Sequence, residues 1–311
     1  MTERPLRYGI VGAGRVAQRF HLPAVTDHAD FALVAVCDAN LDQARATVGA
    51  AGAGVLFTDR LDEFFESGRP DVVAVCTPND AHLEPVLGAV AANAAVLCEK
   101  PLARDLAEAR RLVAAAAGAV LGVNLPYRFH PLLPVFRREL GAGPRHVTLT
   151  FTTAGQRLWR PVTKWYGDPA RAGGGALLDL GPHALDILTA LFGAVEEVER
   201  CRLGDGAVEE RVEADLRFAA ASAHLLIDRA SRTVGLTVEA RSEDRTVTLD
   251  LRRNEVRTAD GVVATAAGVA IERAAVDRFL DAVAGRDGVV VGAAEALELQ
   301  SVIARMYASA A

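Results

Sequence analysis

The sequence predicts an α/β protein of two domains: an N-terminal doubly wound parallel sheet and a C-terminal α+β domain with a mostly antiparallel sheet. Two observations predict this. Over residues 1–123, short and continuously apolar runs alternate with amphipathic helical stretches. Over residues 124–311, strand candidates follow one another, and most of them alternate polar with apolar residues. We therefore place the domain boundary between residues 123 and 124.

The composition suits a globular protein with two cores. Of the 311 residues, 51% are hydrophobic and 24% are charged, and the net charge is −6. Lysine and arginine are spread along the chain without a basic tract, so we expect no binding to nucleic acid. The four cysteines form no CxxC pair, so we expect neither a disulfide framework nor a metal site.

The sequence carries no sign of a membrane span or of export. By our count no apolar stretch reaches the roughly 18 to 20 residues that cross a bilayer, so we expect no membrane attachment. The first residues, "MTERPLRYGIVGAG", enter a strand too soon for a signal peptide. These observations predict a cytoplasmic protein.

Six apolar runs are the predicted strands of the first domain. They read "LRYGIV", "FALVAVC", "GVLF", "DVVAVC", "AVLCE" and "AVLGVN". Runs that are apolar on both faces are typical of parallel strands covered by helices on both sides. Ligands of such sheets bind outside the carboxyl ends of the strands, so the residues that follow each run are the candidates for a site.

A glycine-rich turn follows the first run. The stretch "YGIVGAGRVAQRF" reads G-x-G-x-x-A between a strand and a helix. Gly12 permits the tight turn, Gly14 lets the backbone approach a diphosphate, and Ala17 lets the helix pack closely on the strand. Asp38 ends the second run, where a carboxylate accepts hydrogen bonds from an adenosine ribose. Together these residues predict a Rossmann-type dinucleotide site.

The residues around Asp38 favour NAD over NADP. A carboxylate at this position repels a 2′-phosphate, and Ala39 and Asn40 offer no positive charge to receive one. Arg15 and Val16 follow the glycines and are assigned to the same cofactor site. NADP stays possible, because Arg15 could fold over the adenine side and bind a phosphate.

Two further strand ends carry polar residues. In "CTPNDAH", Thr77 and Asn79 either contact the cofactor riboses or form a turn that caps a helix. In "AVLCEKPLA", Glu99 is assigned to the cofactor site, and Lys100 stands at the end of a buried strand before a proline, where a cis peptide bond fixes a sharp turn. We expect Lys100 to point into the binding cleft; the alternative is a lysine that merely reaches solvent.

The segment "GGGALLDLGPHALDIL" places three ionisable residues on one helix face. Asp179, His183 and Asp186 recur at helical spacing, within about 60° of one another. We expect Gly173–Gly175 to let the backbone approach a cofactor and substrate, and we expect a bend or a helix restart at Pro182. The face predicts a site of proton transfer.

The second domain contains a helix candidate and then six strand candidates. The helix reads "PLLPVFRREL", and the strands read "RHVTLTFTTA", "VEEVERCRL", "RVEADLRFA", "SAHLLIDRA", "TVGLTVEAR" and "RTVTLDLRR". Two of these strands, "SAHLLIDRA" and "TVGLTVEAR", carry apolar residues at both alternating positions. We therefore expect the sheet to pair with a second copy, in a homodimer or homotetramer.

These motifs, in this order, resemble the glucose-fructose oxidoreductase / inositol dehydrogenase / MocA (Gfo/Idh/MocA) family over nearly the whole chain. The resemblance implies an NAD(P)-dependent enzyme that transfers hydride between nicotinamide and a secondary alcohol or ketone of a sugar, cyclitol or related polyol. Lys100, Asp179 and His183 match the family's catalytic positions. His183 would act as acid and base, Lys100 would stabilise the alkoxide, and Asp179 would orient the substrate or the imidazole. Asp186 either shares that role or makes a buried structural hydrogen bond.

The chain departs from the family pattern beside the expected pocket. It reads "NLPYRFHP" with Pro126 and Tyr127 as extra residues, and "KWYGDPARAGGG" has Tyr166 where relatives carry an arginine. Arg128, Trp165, Tyr166 and Asp186 are the candidate substrate contacts. The basic side chains of "GQRLWRPVTKWYGDPARA" suit either a solvated loop or an anionic group on the substrate.

Two other functions fit the same motifs. One is a glycosidase of the same fold that oxidises and re-reduces its sugar transiently. The other is a sensor or repressor that binds dinucleotide without catalysis, a class that tends to lose the catalytic lysine or histidine. Because this chain retains Lys100 and His183, the dehydrogenase is favoured.

Overall fold

The computed structural model describes residues 4–142, 145–155 and 164–310. Within these, residues 4–124, 164–173 and 272–298 form one compact unit, and residues 125–142, 145–155, 174–271 and 299–310 form a second. The first unit thus takes in two later segments that the sequence analysis assigned to the second domain. Each unit is described by itself.

A parallel sheet of six strands organises the first unit, as predicted. The strands are β1 (Leu6–Val11), β2 (Phe31–Cys37), β3 (Leu56–Thr58), β4 (Val72–Val75), β5 (Ala95–Cys98) and β6 (Leu121–Val123). Their order in the sheet is β3-β2-β1-β4-β5-β6. The order reverses between β1 and β4, where a doubly wound sheet opens a crevice at its carboxyl edge. Strands β4 and β6 are buried along their whole length, which accounts for their uninterrupted apolar sequence.

Helices follow the strands of this sheet. A π-helical turn, Ala17–His21, leads directly into α1 (Leu22–Asp27). The next helices are α2 (Leu41–Val48), α3 (Leu61–Glu66), α4 (Leu83–Ala91) and α5 (Leu106–Ala115). Asn40 caps α2 by accepting a hydrogen bond from the Gln43 backbone, and Asp105 caps α5 in the same way from Glu108.

The second unit contains a mostly antiparallel sheet of eight strands, again as predicted. They are β7 (Arg145–Thr152), β8 (Val195–Leu203), β9 (Arg211–Phe218), β10 (Ala221–Asp228), β11 (Gly235–Arg241), β12 (Thr246–Asp250), β13 (Glu255–Thr258) and β14 (Gly261–Thr265). Their order is β14-β13-β12-β11-β7-β10-β9-β8. Strand β7 inserts between two later strands and pairs with β10 in parallel; the other neighbours pair antiparallel. The short strands β13 and β14 were not anticipated from the sequence.

One face of this sheet is covered and the other is polar. On β10, buried Ala223, Leu225 and Ile227 alternate with partly exposed Ser222, His224, Leu226 and Asp228. On β11, the buried and the partly exposed residues alternate in the same way. We expected apolar residues on both faces of these two strands. The structure contradicts this expectation, because their apolar residues lie on the covered face, with Leu226 as the exception.

Two helices of the second unit precede and follow β7. They are α6 (Leu132–Leu140) and α7 (Ala176–Phe192). Pro182 lies inside α7, and the helix continues through it, so the predicted restart does not occur. Residues 169–192 are apolar and long enough by composition to cross a membrane, contrary to our expectation that no stretch is. Because 67% of that window is buried inside the structure, α7 has the character of a core helix.

The glycines before α7 make room for protein groups. A side chain at Gly175 would overlap the Glu209 backbone, and one at Gly174 would overlap the Tyr307 hydroxyl. The buried Glu209 carboxylate accepts hydrogen bonds from the backbone of Gly175 at 2.9 Å and of Leu177 at 3.0 Å, and from the Tyr307 hydroxyl at 2.9 Å. These protein groups account for the two glycines, and the approach of their backbone to a cofactor and substrate remains a prediction.

Helices α8 (Ile271–Val283) and α9 (Ala293–Ala310) complete the chain. Val276, Phe279 and Leu280 of α8 join the buried core of the first unit, with Tyr8 and Ile10 of β1. The first unit therefore recruits a helix that lies far along the sequence, which a boundary drawn at one position does not capture.

We expect Glu209→Ala to destabilise the protein. The change leaves two backbone N–H groups and one hydroxyl without their buried acceptor, a loss of about 3 kcal/mol in the free energy of unfolding. Denaturant titration measures it. Glu243→Ala removes an exposed carboxylate and serves as the control. Equal unfolding free energies for the two variants would contradict the capping role.

Candidate active site

The glycine loop is shaped by close packing between two strand ends. Gly12 has a φ of +92°, and a Cβ there would lie 2.7 Å from the Cys76 carbonyl carbon and 2.8 Å from the Thr77 nitrogen. Only glycine fits this position. Around a Cβ at Gly14, by contrast, no atom lies within 4 Å, so open space borders the start of the helical segment. An open helix N-terminus suits a diphosphate, and the loop fits the dinucleotide predicted for it.

Asp38 is fixed against the glycine loop. Its Oδ2 accepts a hydrogen bond of 2.7 Å from the Ala13 backbone, and its Oδ1 accepts one of 2.8 Å from the Asn40 backbone. Each carboxylate oxygen keeps a further lone pair for a ribose hydroxyl. Ala39 and Asn40 are exposed beside it and carry no charge, in line with the predicted preference for NAD.

Arg15 and Val16 directly follow Gly14, with Arg15 exposed and Val16 half-buried. Their assignment to the cofactor site remains a prediction.

Thr77 and Asn79 make structural hydrogen bonds. The Thr77 hydroxyl donates to the Ala81 carbonyl at 2.8 Å, which closes the turn after β4. The buried Asn79 amide donates to the Ala172 carbonyl at 2.8 Å. Of the two alternatives left open by the sequence, these contacts support the turn. Contact with the cofactor riboses remains a prediction.

The Asn79 bond is part of a set that holds residues 164–173 within the first unit. The Arg171 guanidinium pairs with Asp80 at 2.9 Å, and Arg104 donates to the Ala170 carbonyl at 3.3 Å. This segment carries the rings of Trp165 and Tyr166, whose centroids lie 5.1 Å apart in edge-to-face contact. Both are half-buried, so the segment offers aromatic surface that a sugar ring could contact. Residues 156–163 of the basic stretch lie outside the described residues.

Lys100 is half-buried at the end of β5, and its bond to Pro101 is cis, as anticipated. Its neighbour Glu99 is buried and accepts hydrogen bonds from His21 at 2.8 Å and from Asn124 at 2.7 Å. Burial raises the pKa of Glu99, but the hydrogen bond and charge of His21, the hydrogen bond from Asn124 and the charge of Lys100 outweigh it and hold that pKa below its usual value. Glu99, predicted to bind cofactor, is thus an ionised group engaged by protein donors.

Two side chains are partly exposed within the buried part of α7. From Ala176 to Leu188 every residue is buried except Asp179 and His183, which are half-buried. These two lie four residues apart, one helical turn, and so share a face. The structure thus keeps two of the three residues of the predicted face accessible.

The third residue, Asp186, is fully buried and pairs with Arg128. Arg128 Nε donates to Asp186 Oδ1 at 2.8 Å, and Arg128 Nη2 contacts the same oxygen. This contact supports the structural alternative for Asp186, because a buried carboxylate needs a charged partner. The two predicted substrate contacts bind each other, and direct contact of either with substrate remains a prediction.

Aromatic packing holds His183. The Tyr127 ring meets the imidazole edge to face, with centroids 5.1 Å apart and an interplanar angle of 87°. Tyr127 also packs against Phe151 at 6.2 Å. One of the two extra residues noted in the sequence therefore orients the predicted base.

Arg229 was missed in the sequence and contacts Asp179. Its guanidinium is 2% exposed and lies 3.6 Å from Asp179 Oδ2 and 3.0 Å from Glu210 Oε2. A buried guanidinium stays charged and fixes the carboxylate beside it. The available signal was an arginine directly after a strand candidate, in "HLLIDRA".

Comparison with known proteins identifies the family. Residues 6–124 match the family model for the oxidoreductase family with an NAD-binding Rossmann fold, and residues 139–248 match the Gfo/Idh/MocA C-terminal domain. The chain belongs to the Gfo/Idh/MocA family of oxidoreductases. The predicted family is thereby confirmed, together with NAD as the cofactor type of the first domain.

Two curated relatives and one solved structure illustrate the similarity. The chain is 35% identical to D-glucoside 3-dehydrogenase of Escherichia coli (strain K12), over 62% of this chain and 56% of that protein. It is 31% identical to inositol 2-dehydrogenase of Rhizobium meliloti (strain 1021), over 60% of this chain and 55% of that protein. The matches thus span little more than half the length of these relatives.

The crystal structure of GenD2 from gentamicin A biosynthesis, in complex with NAD, superposes with a TM-score of 0.84. The two chains are 25% identical, and the superposition covers 100% of this chain and 95% of that one. The predicted two-domain fold class is confirmed by this likeness.

We expect Asp38→Ser combined with Ala39→Arg to exchange the cofactor preference of this Rossmann domain. The first change removes repulsion of a 2′-phosphate, and the second supplies a charged partner for it. Loss of charge-assisted bonds to the ribose should weaken NADH binding by about 1.5 to 3 kcal/mol. Fluorescence titration with NADH and NADPH measures both affinities. Asp42→Ser, a nearby exposed carboxylate, is the control, and a wild type that already prefers NADPH would contradict the argument.

Proposed function

We propose that the chain is an NAD-dependent dehydrogenase acting on a secondary alcohol of a sugar, cyclitol or related polyol, or in reverse on the matching ketone. One observation carries the proposal. Within the buried stretch 176–188 of α7, a carboxylate and an imidazole, Asp179 and His183, are the two partly exposed side chains, and they lie one turn apart. Burial of the remaining face indicates that the protein retains these two polar groups for a ligand.

The chemistry needs two protein groups at one oxygen. Oxidation of an alcohol removes a hydride from carbon and a proton from oxygen, and bound NAD supplies the hydride acceptor. His183 receives the proton, because an imidazole titrates near neutral pH. Lys100 stabilises the negative charge that develops on the oxygen as that proton leaves. In the reverse direction His183 returns the proton to the ketone oxygen.

Asp179 orients the reacting groups in this proposal. Its contact with the buried Arg229 supports the role, since the guanidinium holds the carboxylate in one position. A fixed carboxylate on the face that carries His183 can accept a hydrogen bond from a substrate hydroxyl or from the imidazole.

The relatives' names support a ring-shaped polyol as substrate: one is a glucoside 3-dehydrogenase and the other an inositol 2-dehydrogenase. Trp165 and Tyr166 suit stacking against such a ring. Neither relative is named as a glycosidase or a repressor, the two alternatives weighed above. A panel of sugars, sugar acids and cyclitols incubated with NAD, and again with NADP, tests the substrate class through NADH formation. Glycosidic cleavage without net NADH would instead indicate the glycosidase.

Lys100→Met and His183→Asn should lower turnover sharply while leaving cofactor binding intact. Loss of a charge stabiliser or of a general base costs about 10²- to 10³-fold in kcat. The affinity for NADH should stay within about threefold, because the glycine loop and Asp38 are untouched. Turnover on the alcohol found in the panel and fluorescence titration with NADH measure the two effects.

Two exposed residues provide matched controls for these variants. Arg110→Met removes an exposed cation and His146→Asn an exposed imidazole, and both should retain wild-type turnover. If Lys100→Met or His183→Asn keeps near-wild-type kcat, or loses NADH affinity in proportion to activity, the proposed proton-transfer site is wrong.

The homodimer or homotetramer, like the cytoplasmic location, remains a prediction. The outer face of the second sheet is polar, with ion pairs such as Arg200 with Asp215 at 2.7 Å. We expect any self-association through this face to depend on charges and to weaken in salt. Light scattering at micromolar concentration, in low and high salt, measures the mass. A strictly monomeric mass in low salt would contradict the prediction.

A further inference from the structure

A cluster of four buried polar residues lies beside Lys100 in the first unit. It consists of Tyr8, His21, Glu99 and Asn124, each at most 7% exposed. They come from β1, from the π-helical turn and from the ends of β5 and β6. The mechanism above does not use the cluster, and the cost of burying four polar side chains calls for a role.

One pattern of protons satisfies the donors within this cluster. Burial raises the pKa of Tyr8 well above its usual value, so the hydroxyl keeps its proton and donates to His21 Nδ1 at 3.1 Å. His21 Nε2 then carries a proton and donates to Glu99 Oε1 at 2.8 Å. The Asn124 amide donates to the same oxygen at 2.7 Å. The carboxylate is charged, and the ring is fixed from both sides.

His21 connects the helical segment after the glycine loop with the residues at the end of β5. It ends the π-helical turn Ala17–His21, which follows Gly14 by three residues, and both end residues of the turn are buried. A π turn widens the helix and is frequent at functional positions. On the other side, Glu99 is joined to Lys100 by one peptide bond. The His21–Glu99 hydrogen bond therefore links the glycine loop to the residue that carries Lys100.

A metal site is a poorer explanation of the same residues. Ligand atoms of His21, Cys76 and Glu99 lie within 4.8 Å of one another. His21 Nε2 and Glu99 Oε1 lie 2.8 Å apart and bond directly to each other, as a hydrogen-bonded pair does.

We propose that His21 is a positioning residue for Lys100. Acting through Glu99, it holds the end of β5 so that the ammonium group meets the reacting oxygen. The proposal rests on the proposed function, in which Lys100 stabilises the developing alkoxide.

A double-mutant cycle of His21→Leu and Lys100→Met tests the proposal. His21→Leu should lower kcat by about 10- to 100-fold, as misplacement of a catalytic group does, with NADH affinity within about threefold. In the Lys100→Met background the same change should alter kcat by less than about twofold, because the group that it positions is gone. An equal loss in both backgrounds overturns the proposal.

Two further variants separate positioning from general destabilisation. His21→Gln keeps a donor for Glu99 and should restore kcat to within about fivefold of wild type. His130→Leu is the matched control, because His130 is another buried histidine, bonded to Asn254 at 3.0 Å in the second unit. It should leave kcat within about twofold of wild type. If His21→Leu fails to fold, Tyr8→Phe replaces it in the same cycle, because it removes the hydroxyl that orients the His21 ring. An equal loss of kcat in the wild-type and Lys100→Met backgrounds would again contradict the proposal.

A labelling measurement tests the link without any substrate. Lys100 and Lys164 are the two lysines of the chain, so acetylation of each amine by acetic anhydride is resolved by mass spectrometry. His21→Leu should change the labelling rate of Lys100 and leave that of Lys164 unchanged. If the labelling of Lys100 is unchanged, the positioning role of His21 is wrong and the proposed function still stands. If Lys100→Met keeps near-wild-type turnover, the proposed function is wrong.

Discussion

The close approach of Gly12 to the backbone of Cys76 and Thr77 is the constraint on which the cofactor half of the site depends. At 2.7 Å from the carbonyl carbon there is no room for a Cβ, so the end of β1 must turn directly across the end of β4. That turn starts the helical segment where the sheet order reverses, and it brings the Ala13 backbone to Asp38. The open helix start, Asp38 after β2 and Lys100 after β5 all lie at one edge of the sheet.

Pairing of buried charges explains which polar residues remain available for chemistry. Glu99 is engaged by His21, Asp186 by Arg128, and Arg229 by both Asp179 and Glu210. Because an isolated buried charge costs several kcal/mol, each pair fixes the orientation of its members. Arginine makes up 32 of the 34 basic residues, and it cannot give up a proton at ordinary pH. A lysine at position 100 is therefore a marked exception in this chain, and it suits a compact ammonium that must meet a developing negative charge.

The sequence predicted most of the fold, because buried parallel strands and half-covered antiparallel strands differ in their apolar periodicity. It also singled out Lys100, Asp179 and His183, because ionisable residues at strand ends or on apolar helices are conspicuous. It did not reveal His21 or Arg229, whose partners lie far away along the chain. The same limit hid the protein groups next to Gly174 and Gly175, because Tyr307 and Glu209 are their neighbours only in the folded protein. Strand β13 has only four residues, and every residue of β14 is exposed or half-buried, so neither shows an apolar period.

The central claim is that the chain removes hydride from a carbon bearing a hydroxyl and delivers it to NAD. Transfer of isotope measures this step directly. The substrate is a polyol of the panel that supports NADH formation, prepared with deuterium at the carbon to be oxidised. The reduced cofactor is isolated, and its mass is measured by mass spectrometry. The account predicts NADH that carries the deuterium and a slower turnover than with the unlabelled polyol. Unlabelled NADH, or no reduced cofactor from any sugar, cyclitol or sugar acid tested, would contradict it.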